Sequence, residues 1–148
     1  MGFYIFNASS IETFESKRVA SVEVIKYRLG KKKWPLYSGT ANRKRLEVGD
    51  SIVFYAAGYQ VSSQHFIGAA RVSGIRLYDG LRIDNDDWLT DIPDFIVELD
   101  NIEIFEQPVS IRERLSKLSF ILNKKSWGNS LQGGTRLISE KDFIQCIP

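Results

Sequence analysis

The chain has 148 residues, of which 43% are hydrophobic and 26% are charged, and its formal net charge is +2. These values are typical of one globular domain, so we expect residues 1–148 to form a single domain and not a disordered tail. No apolar run reaches the roughly 18 residues that a membrane-spanning helix needs, and we expect no membrane partner.

Cysteine and histidine are too few for several classes of site. The chain has one of each, Cys146 and His65, so an internal disulfide is excluded. The first residues, Met1–Asn7, lack the basic and small-residue pattern of a signal peptide, and these features together favour a cytoplasmic protein. One Cys and one His also argue against a zinc site or a Ser/His/Asp triad, and we expect no metal or other cofactor.

Charge is distributed unevenly along the chain. Ten basic residues and one acidic residue, Glu23, lie between Lys17 and Arg45, whereas ten acidic residues lie between Asp79 and Glu106. A basic region of this kind is either a solvated face or a contact surface for a polyanion. Both interpretations stay open on charge alone.

The N-terminal half is predicted to hold short strands joined by irregular segments. Ser9 and Glu12 have the spacing of a capping box, which predicts a short helix or turn after the first strand. Pro35 and Gly39 predict an irregular segment, and the two later strands predict a hairpin. The first strand is expected at residues 2–8, the capped turn at 9–15 and the irregular segment at 30–39. The two strands of the hairpin are expected at residues 51–57 and 66–75.

The C-terminal half begins with an acidic, turn-rich segment. A strand with alternating apolar and acidic residues follows, then a helix, a short strand and a final helix with Ser139 as its N-cap. The acidic segment is expected at residues 78–93 and the alternating strand at 95–105. The helix that follows is expected at 111–118 and the short strand at 136–138. Short strands separated by turns predict an α+β fold, a small curved β-barrel of mixed or mainly antiparallel strands flanked by helices.

The segment from Trp34 to Asp50 combines aromatic rings, three consecutive basic residues and a Val-Gly-Asp turn that leads into a strand. Cations pair with phosphates and flat rings stack on bases, so this composition is typical of a nucleic-acid surface. Trp34 also fits a place in the core, as does Tyr55, and the basic triplet also fits a solvated helix face. The residues alone leave these alternatives open.

Several segments, taken in order, resemble the EVE family, a branch of the PUA-like superfamily related to the YTH domains. These segments are Phe3–Asn7, Trp34–Asp50 with Ile52–Tyr55, Phe66–Val72, Phe120–Trp127 and Arg136–Phe143. The resemblance implies a PUA-like fold and a pocket that holds a modified base of DNA or RNA, with methylated and hydroxymethylated bases as the leading ligands. In YTH domains a Trp-Ser pair followed by Asn borders the pocket. Tyr37, Ser38 and Asn42 are similar in position, with tyrosine in place of tryptophan.

The resemblance also implies two groups of binding residues. Aromatic and amide side chains are expected to line the base pocket: Asn7, Trp34, Tyr37, Ser38, Asn42, Tyr55 and Trp127. Basic side chains are expected to hold the flanking phosphates: Arg43, Lys44, Arg45, Lys124, Lys125 and Arg136. No residue is assigned a catalytic role.

Two other functions remain possible for such a chain. One is a small hydrolase acting on a modified nucleoside, like the related ASCH branch, although the motif Gly-x-Lys-x-x-Glu-x-Arg is absent. The other is an accessory module that contacts a protein, and the resemblance implies a nuclease or a motor protein as that partner. The acidic residues Asp84, Asp86 and Asp87 match no complete EF-hand loop, so a cation site there is a minor alternative.

Overall fold

The computed structural model describes residues 1–12, 16–60, 62–78, 89, 91–131 and 133–148. Its strands are β1 (Phe3–Ala8), β2 (Ile11–Glu12), β3 (Arg18–Val19), β4 (Lys33–Leu36), β5 (Ser51–Ala56), β6 (His65–Leu77), β7 (Phe95–Ser110) and β8 (Thr135–Ile138). Its helices are α1 (Ser21–Lys31), α2 (Glu140–Gln145) and the 3₁₀ turns Leu115–Lys117 and Trp127–Leu131. Within this part of the chain, no helix has both the length and the apolar character to cross a membrane.

Six of the strands form one curled, mixed sheet in the order β4-β7-β6-β5-β1-β8. β1 and β5 run parallel, and the other neighbours in this sheet run antiparallel. Shifts of register between the long strands β6 and β7 mark bulges, which bend strands and increase their twist. The result is a half-barrel that confirms the predicted curved, mixed sheet with helices around it.

The two faces of the sheet pack against different parts of the chain. Because successive strand residues point to opposite faces, Phe6 and Phe54 lie in a core with α1, whereas Ile5 and Val53 lie in a second core. The second core is completed by the C-terminal third of the chain, including Leu118, Ile121, Leu131, Ile138 and Cys146. The parity of a residue within its strand therefore decides which core it joins.

The Val-Gly-Asp turn is a structural device that aligns β1 with β5. Gly49 has a φ of +96°, which favours glycine, and the buried Asp50 carboxylate accepts hydrogen bonds from two backbone N–H groups. These donors are Gly2, at 2.8 Å, and Glu47, also at 2.8 Å. Asp50 thus ties the start of the chain to the start of β5 and sets the parallel pair in register.

Three local predictions were wrong. The capped segment at Ser9 leads into the short strand β2, while residues 13–15 lie outside the described part of the chain. Pro35 does not interrupt β4, because β4 is an edge strand, where a missing N–H costs no ladder bond. The predicted helix over 111–118 is a turn followed by a 3₁₀ turn, because β7 continues to Ser110 and the following chain makes a short connection within the second core.

Of the ten acidic residues between Asp79 and Glu106, two that the structure describes form ion pairs with basic residues on a neighbouring strand. On β7, Asp100 pairs with Arg71 at 3.2 Å and Glu98 pairs with Arg76 at 3.4 Å. These pairs join neighbouring strands, so part of the uneven charge along the chain is matched across the sheet. The prediction made for Asp84, Asp86 and Asp87 concerns residues outside the described part of the chain.

Candidate nucleic-acid site

A cavity of about 690 Å³ lies at the carboxyl ends of β1 and β5. Its volume falls within the range of roughly 300–1,000 Å³ that is usual for small-molecule sites. Five parts of the chain line it: the end of β1, the β5–β6 connection, the turn after β7, the segment around the second 3₁₀ turn and the turn before β8. It lies on the side of the second core, away from α1, because its lining residue Tyr55 belongs to that core.

Asn7 and Tyr55 lie side by side in the cavity wall because they are direct partners in the parallel β1–β5 pair. The Asn7 side-chain amide donates to the Leu131 carbonyl, and its backbone N–H donates to the Gly134 carbonyl at 2.9 Å. Tyr55 is only 2% exposed and packs against Phe66, with 5.3 Å between ring centroids. Asn7 therefore presents an amide group held by a hydrogen bond, and Tyr55 presents a closely packed ring beside it.

Burial controls the protonation of Tyr55. Loss of solvent around the ring raises the pKa of its hydroxyl well above the ordinary value, and the nearby Arg112 guanidinium opposes this shift only in part. The Tyr55 hydroxyl therefore stays protonated throughout the physiological range. It can donate a hydrogen bond to a group in the cavity.

Trp127 and Arg112 supply the cavity with a flat ring and a positive charge. The Arg112 guanidinium carbon lies 5.5 Å from the centroid of the Trp127 ring, within the roughly 6 Å range of a cation–π contact. Arg112 Nε donates to Gln64 Oε1 at 2.8 Å, which holds the guanidinium in place. Lys125 adds a second positive charge, and the described lining residues include no aspartate or glutamate.

Two consecutive glycines, Gly133 and Gly134, also belong to the cavity lining. Gly133 and Gly134 have φ angles of +97° and +83°, a conformation that side chains rarely adopt. A Cβ on Gly134 would lie 3.2 Å from Thr40 Cγ2, and one on Gly133 would lie 3.3 Å from Ala41 Cβ. Ala41 N–H also donates to the Gly133 carbonyl at 2.9 Å. The segment after Trp34 thus supports this wall from behind.

A family model for the EVE domain matches residues 14–147. The chain belongs to the EVE domain family. No curated protein sequence matches it.

Solved structures share the fold of this EVE domain at low sequence identity. The N-terminal domain of McrB from Staphylothermus marinus is 13% identical, with a TM-score of 0.61 over 97% of this chain and 92% of the other. Human THYN1, in complex with DNA containing 5-methylcytosine, is 11% identical, with a TM-score of 0.58 over 97% and 94%. A protein from Agrobacterium tumefaciens is 16% identical, with a TM-score of 0.54 over 99% and 90%. These likenesses concern the fold, and they agree with the predicted PUA-like architecture.

Four of the residues predicted for binding meet in the cavity of this EVE domain. They are Asn7, Tyr55, Trp127 and Lys125. They come from β1, β5 and the segment that leads into the second 3₁₀ turn. Their convergence is a feature of the structure, and their contact with a ligand stays a prediction.

Trp34 lies elsewhere, and the proposed site is revised accordingly. It is 3% exposed and packs against Phe54 and Phe6, with ring centroids 4.8 Å and 5.9 Å away. The Arg28 guanidinium carbon lies 4.8 Å from its ring centroid. Because Phe6 and Phe54 point to the α1 face, Trp34 is in the first core and the sheet separates it from Tyr55.

The residues that resemble the YTH Trp-Ser and Asn positions lie behind the cavity wall and do not line it. Tyr37 N–H donates to Thr40 Oγ1 at 3.1 Å and closes a turn in which Ser38 is exposed. The Asn42 amide donates to Thr135 Oγ1 at 3.4 Å. This turn carries the residues that contact Gly133 and Gly134, so we assign it a supporting role.

Five of the six predicted phosphate ligands lie outside the cavity lining, and the side chains of three of these five contact other parts of the protein. Arg43 pairs with Asp94 at 3.1 Å, and Lys124 Nζ donates to the Leu118 carbonyl at 2.8 Å. The Arg136 guanidinium carbon lies 5.4 Å from the centroid of the Phe120 ring. The two other residues outside the lining, Lys44 and Arg45, are exposed.

Sequence reasoning missed several lining residues, and those with aromatic, amide or charged side chains are Tyr59, Gln64 and Arg112. Arg112 was placed within a predicted helix, and neither it nor Gln64 carries a local signal. Tyr59 does carry one, because an aromatic residue that directly follows a turn glycine between two strands is poorly placed for burial. The Gly133-Gly134 pair also carries a signal, because two adjacent glycines indicate a backbone with positive φ.

Proposed function

We propose that this EVE domain is a non-catalytic module that binds nucleic acid and holds one modified base in the cavity. The observation that carries the proposal is the convergence of Trp127, Asn7 and Tyr55 with two cations, Arg112 and Lys125, around one concave space. We favour DNA because the fold relative THYN1 is described in complex with DNA containing 5-methylcytosine. Binding of RNA stays a prediction.

The cavity suits a base that has left its stack. A base within a duplex is not accessible from all sides, so the bound nucleotide has to be flipped out or single-stranded. We assign stacking to the Trp127 ring, which contributes about 1–3 kcal/mol for one base. The Asn7 amide and the neutral Tyr55 hydroxyl are assigned to the polar edge of the base, and Arg112 and Lys125 to its phosphates.

Recognition of the modification has a physical limit. Burial of one methyl group contributes about 0.8 kcal/mol, which is only about a fourfold preference in affinity. A hydroxymethyl group offers a donor and an acceptor in addition, and polar lining residues such as Asn7 and Ser9 can pair with it. A preference well above fourfold therefore requires polar groups that are left unpaired by the unmodified base.

Matched oligonucleotides test the proposal directly. Fluorescence anisotropy compares binding of DNA and RNA strands that differ at one position: cytosine, 5-methylcytosine, 5-hydroxymethylcytosine, adenine or N6-methyladenine. We expect at least one modified strand to bind about fourfold or more tightly than its unmodified match. Equal affinities across the series would refute recognition of a modification. Incubation of the protein with the same modified nucleosides tests the non-catalytic assignment, since any conversion would contradict it.

A partner protein extends the proposal. A non-catalytic module of this kind acts through another protein, and the family resemblance makes a nuclease or a motor protein the expected class. Affinity capture followed by a nuclease or ATPase assay of the captured material tests this expectation. A complex without either activity would contradict it.

A further inference from the structure

Tyr59 is an aromatic side chain that the fold leaves open to solvent at the mouth of the cavity. It is 100% exposed and lies in the connection between β5 and β6, directly after Gly58. Both residues belong to the cavity lining. Both flat surfaces of a fully exposed ring are accessible, and this ring lies next to the space that we assign to the modified base.

The backbone that carries Tyr59 is held by a set of short hydrogen bonds. Gln64 Nε2 donates to the Gly58 carbonyl at 3.0 Å, and Gln64 N–H donates to the Ala56 carbonyl at 2.6 Å. Ser63 Oγ donates to the Gln60 carbonyl at 2.6 Å. Gly58 has a φ of +124°, which only glycine adopts readily. These hydrogen bonds and the conformation of Gly58 define the backbone of the turn, and this backbone leaves the Tyr59 side chain exposed.

Gln64 also links the turn that carries Tyr59 to the positively charged Arg112 in the cavity lining. The other end of the Gln64 amide, Oε1, accepts from Arg112 Nε at 2.8 Å. One side chain thus bridges the turn that carries Tyr59 and the guanidinium that lies over Trp127. The backbone that carries Tyr59 is consequently held in a defined position relative to the cavity.

We propose that Tyr59 stacks on the base that flanks the nucleotide in the cavity, so that the site takes at least two adjacent nucleotides. The inference rests on the proposed function. When one base leaves the stack, its neighbour loses a partner, and an aromatic side chain can replace that partner at about the energy of base–aromatic stacking. Tyr59 is the lining aromatic with both faces available for this role, whereas Tyr55 is buried.

The test combines a protein variant with an abasic nucleotide. Single strands carry the preferred modified base with normal flanks, with an abasic 5′ flank or with an abasic 3′ flank. We expect Tyr59→Ala to weaken binding of the normal strand about 5- to 150-fold, the range that one stacked base spans. One abasic flank should weaken the wild-type protein by a similar factor, and Tyr59→Ala should then add less than about twofold. The flank that shows this coupling gives the strand polarity.

Controls separate the ring from the fold and from the cavity. Tyr59→Phe retains the ring and should recover most of the affinity, while Ile144→Ala changes another exposed apolar side chain, on α2 and outside the cavity lining. Because Tyr59 is fully exposed, its removal should leave the thermal midpoint within the range of surface substitutions. A Tyr59→Ala effect that persists on both abasic strands, or no Tyr59→Ala effect on the normal strand, would overturn the inference. Failure of the proposed function gives a different result, in which Trp127→Ala binds as tightly as wild type.

Discussion

Replacement of Trp127 by alanine separates base stacking from fold stability. The ring is partly buried, lines the cavity and contacts the Arg112 guanidinium at 5.5 Å. Loss of one stacked base removes about 1–3 kcal/mol of binding free energy. Since 1.4 kcal/mol corresponds to a factor of ten, the dissociation constant for the preferred modified strand should rise about 5- to 150-fold.

The stability cost of the same change should be smaller than that of a core tryptophan. A fully buried Trp→Ala change costs about 3–5 kcal/mol, and the partly buried Trp127 loses only part of this contact. Trp34 is 3% exposed and packs against Phe6 and Phe54, so Trp34→Ala should lower the unfolding free energy by the full amount. Urea unfolding followed by circular dichroism measures both costs, and anisotropy titration measures binding under conditions in which each variant is folded.

Conservative variants make the comparison decisive. Trp127→Phe retains a flat ring and should recover part of the lost affinity. Trp34→Phe should lower the unfolding free energy while binding stays within about twofold of wild type, because the sheet lies between Trp34 and the cavity. The assignment would be refuted by a folded Trp127→Ala protein with wild-type affinity. It would also be refuted if Trp34→Phe weakened binding as much as Trp127→Ala.

Three further predictions concern charge, backbone and the buried thiol. Lys125→Ala should reduce the slope of log affinity against log salt by about 1, whereas Arg43→Ala should leave it unchanged because Arg43 is engaged with Asp94; titrations from 50 to 200 mM salt measure this. Gly134→Ala should destabilise the fold by more than about 1 kcal/mol in urea unfolding, since its φ is +83° and Thr40 lies behind it; a neutral effect would contradict the proposed strain. Burial, reinforced by Asp142, raises the pKa of the Cys146 thiol from 9.0 to about 12, so the native thiol should resist labelling at pH 9. The unfolded thiol ionises at lower pH than the native one, so this contribution to stability is present below pH 9 and is lost between about pH 9 and 12; Cys146→Ala should flatten that part of the stability profile.

Local sequence signals were sufficient where a structure depends on near neighbours. Alternating or continuous apolar residues predicted β1, β5 and β6, and the N-cap of α2 was also predicted, with Asp142 N–H donating to Ser139 Oγ at 3.1 Å. Helix α1 was not predicted because Ala20, at its N-cap, provides no side-chain hydrogen bond and so leaves no signal in the sequence.

The candidate site was predicted in part because two of its residues lie at the end of strands that the sequence reveals. Asn7 and Tyr55 are recognisable as positions near the ends of apolar strands, and Trp127 as an aromatic residue in a basic loop. Arg112 and Gln64 were missed because their contact joins the β5–β6 connection to the turn after β7, 48 residues away. No local pattern records a contact at that separation.

The sequence by itself determined five of the six strands of the main sheet, the family resemblance and the presence of aromatic and basic residues suited to nucleic acid. Only the tertiary structure decided which aromatic rings face the cavity. The parallel register of β1 and β5 places Asn7 beside Tyr55 on one face, and strand alternation sends Phe6, Phe54 and with them Trp34 to the other. The cavity wall then closes through hydrogen bonds between Asn7 and residues more than 120 positions away. The local sequence pattern shows that successive side chains of a strand point to opposite faces of the sheet. The pairing of strands that are distant in sequence decides which residues each face contacts.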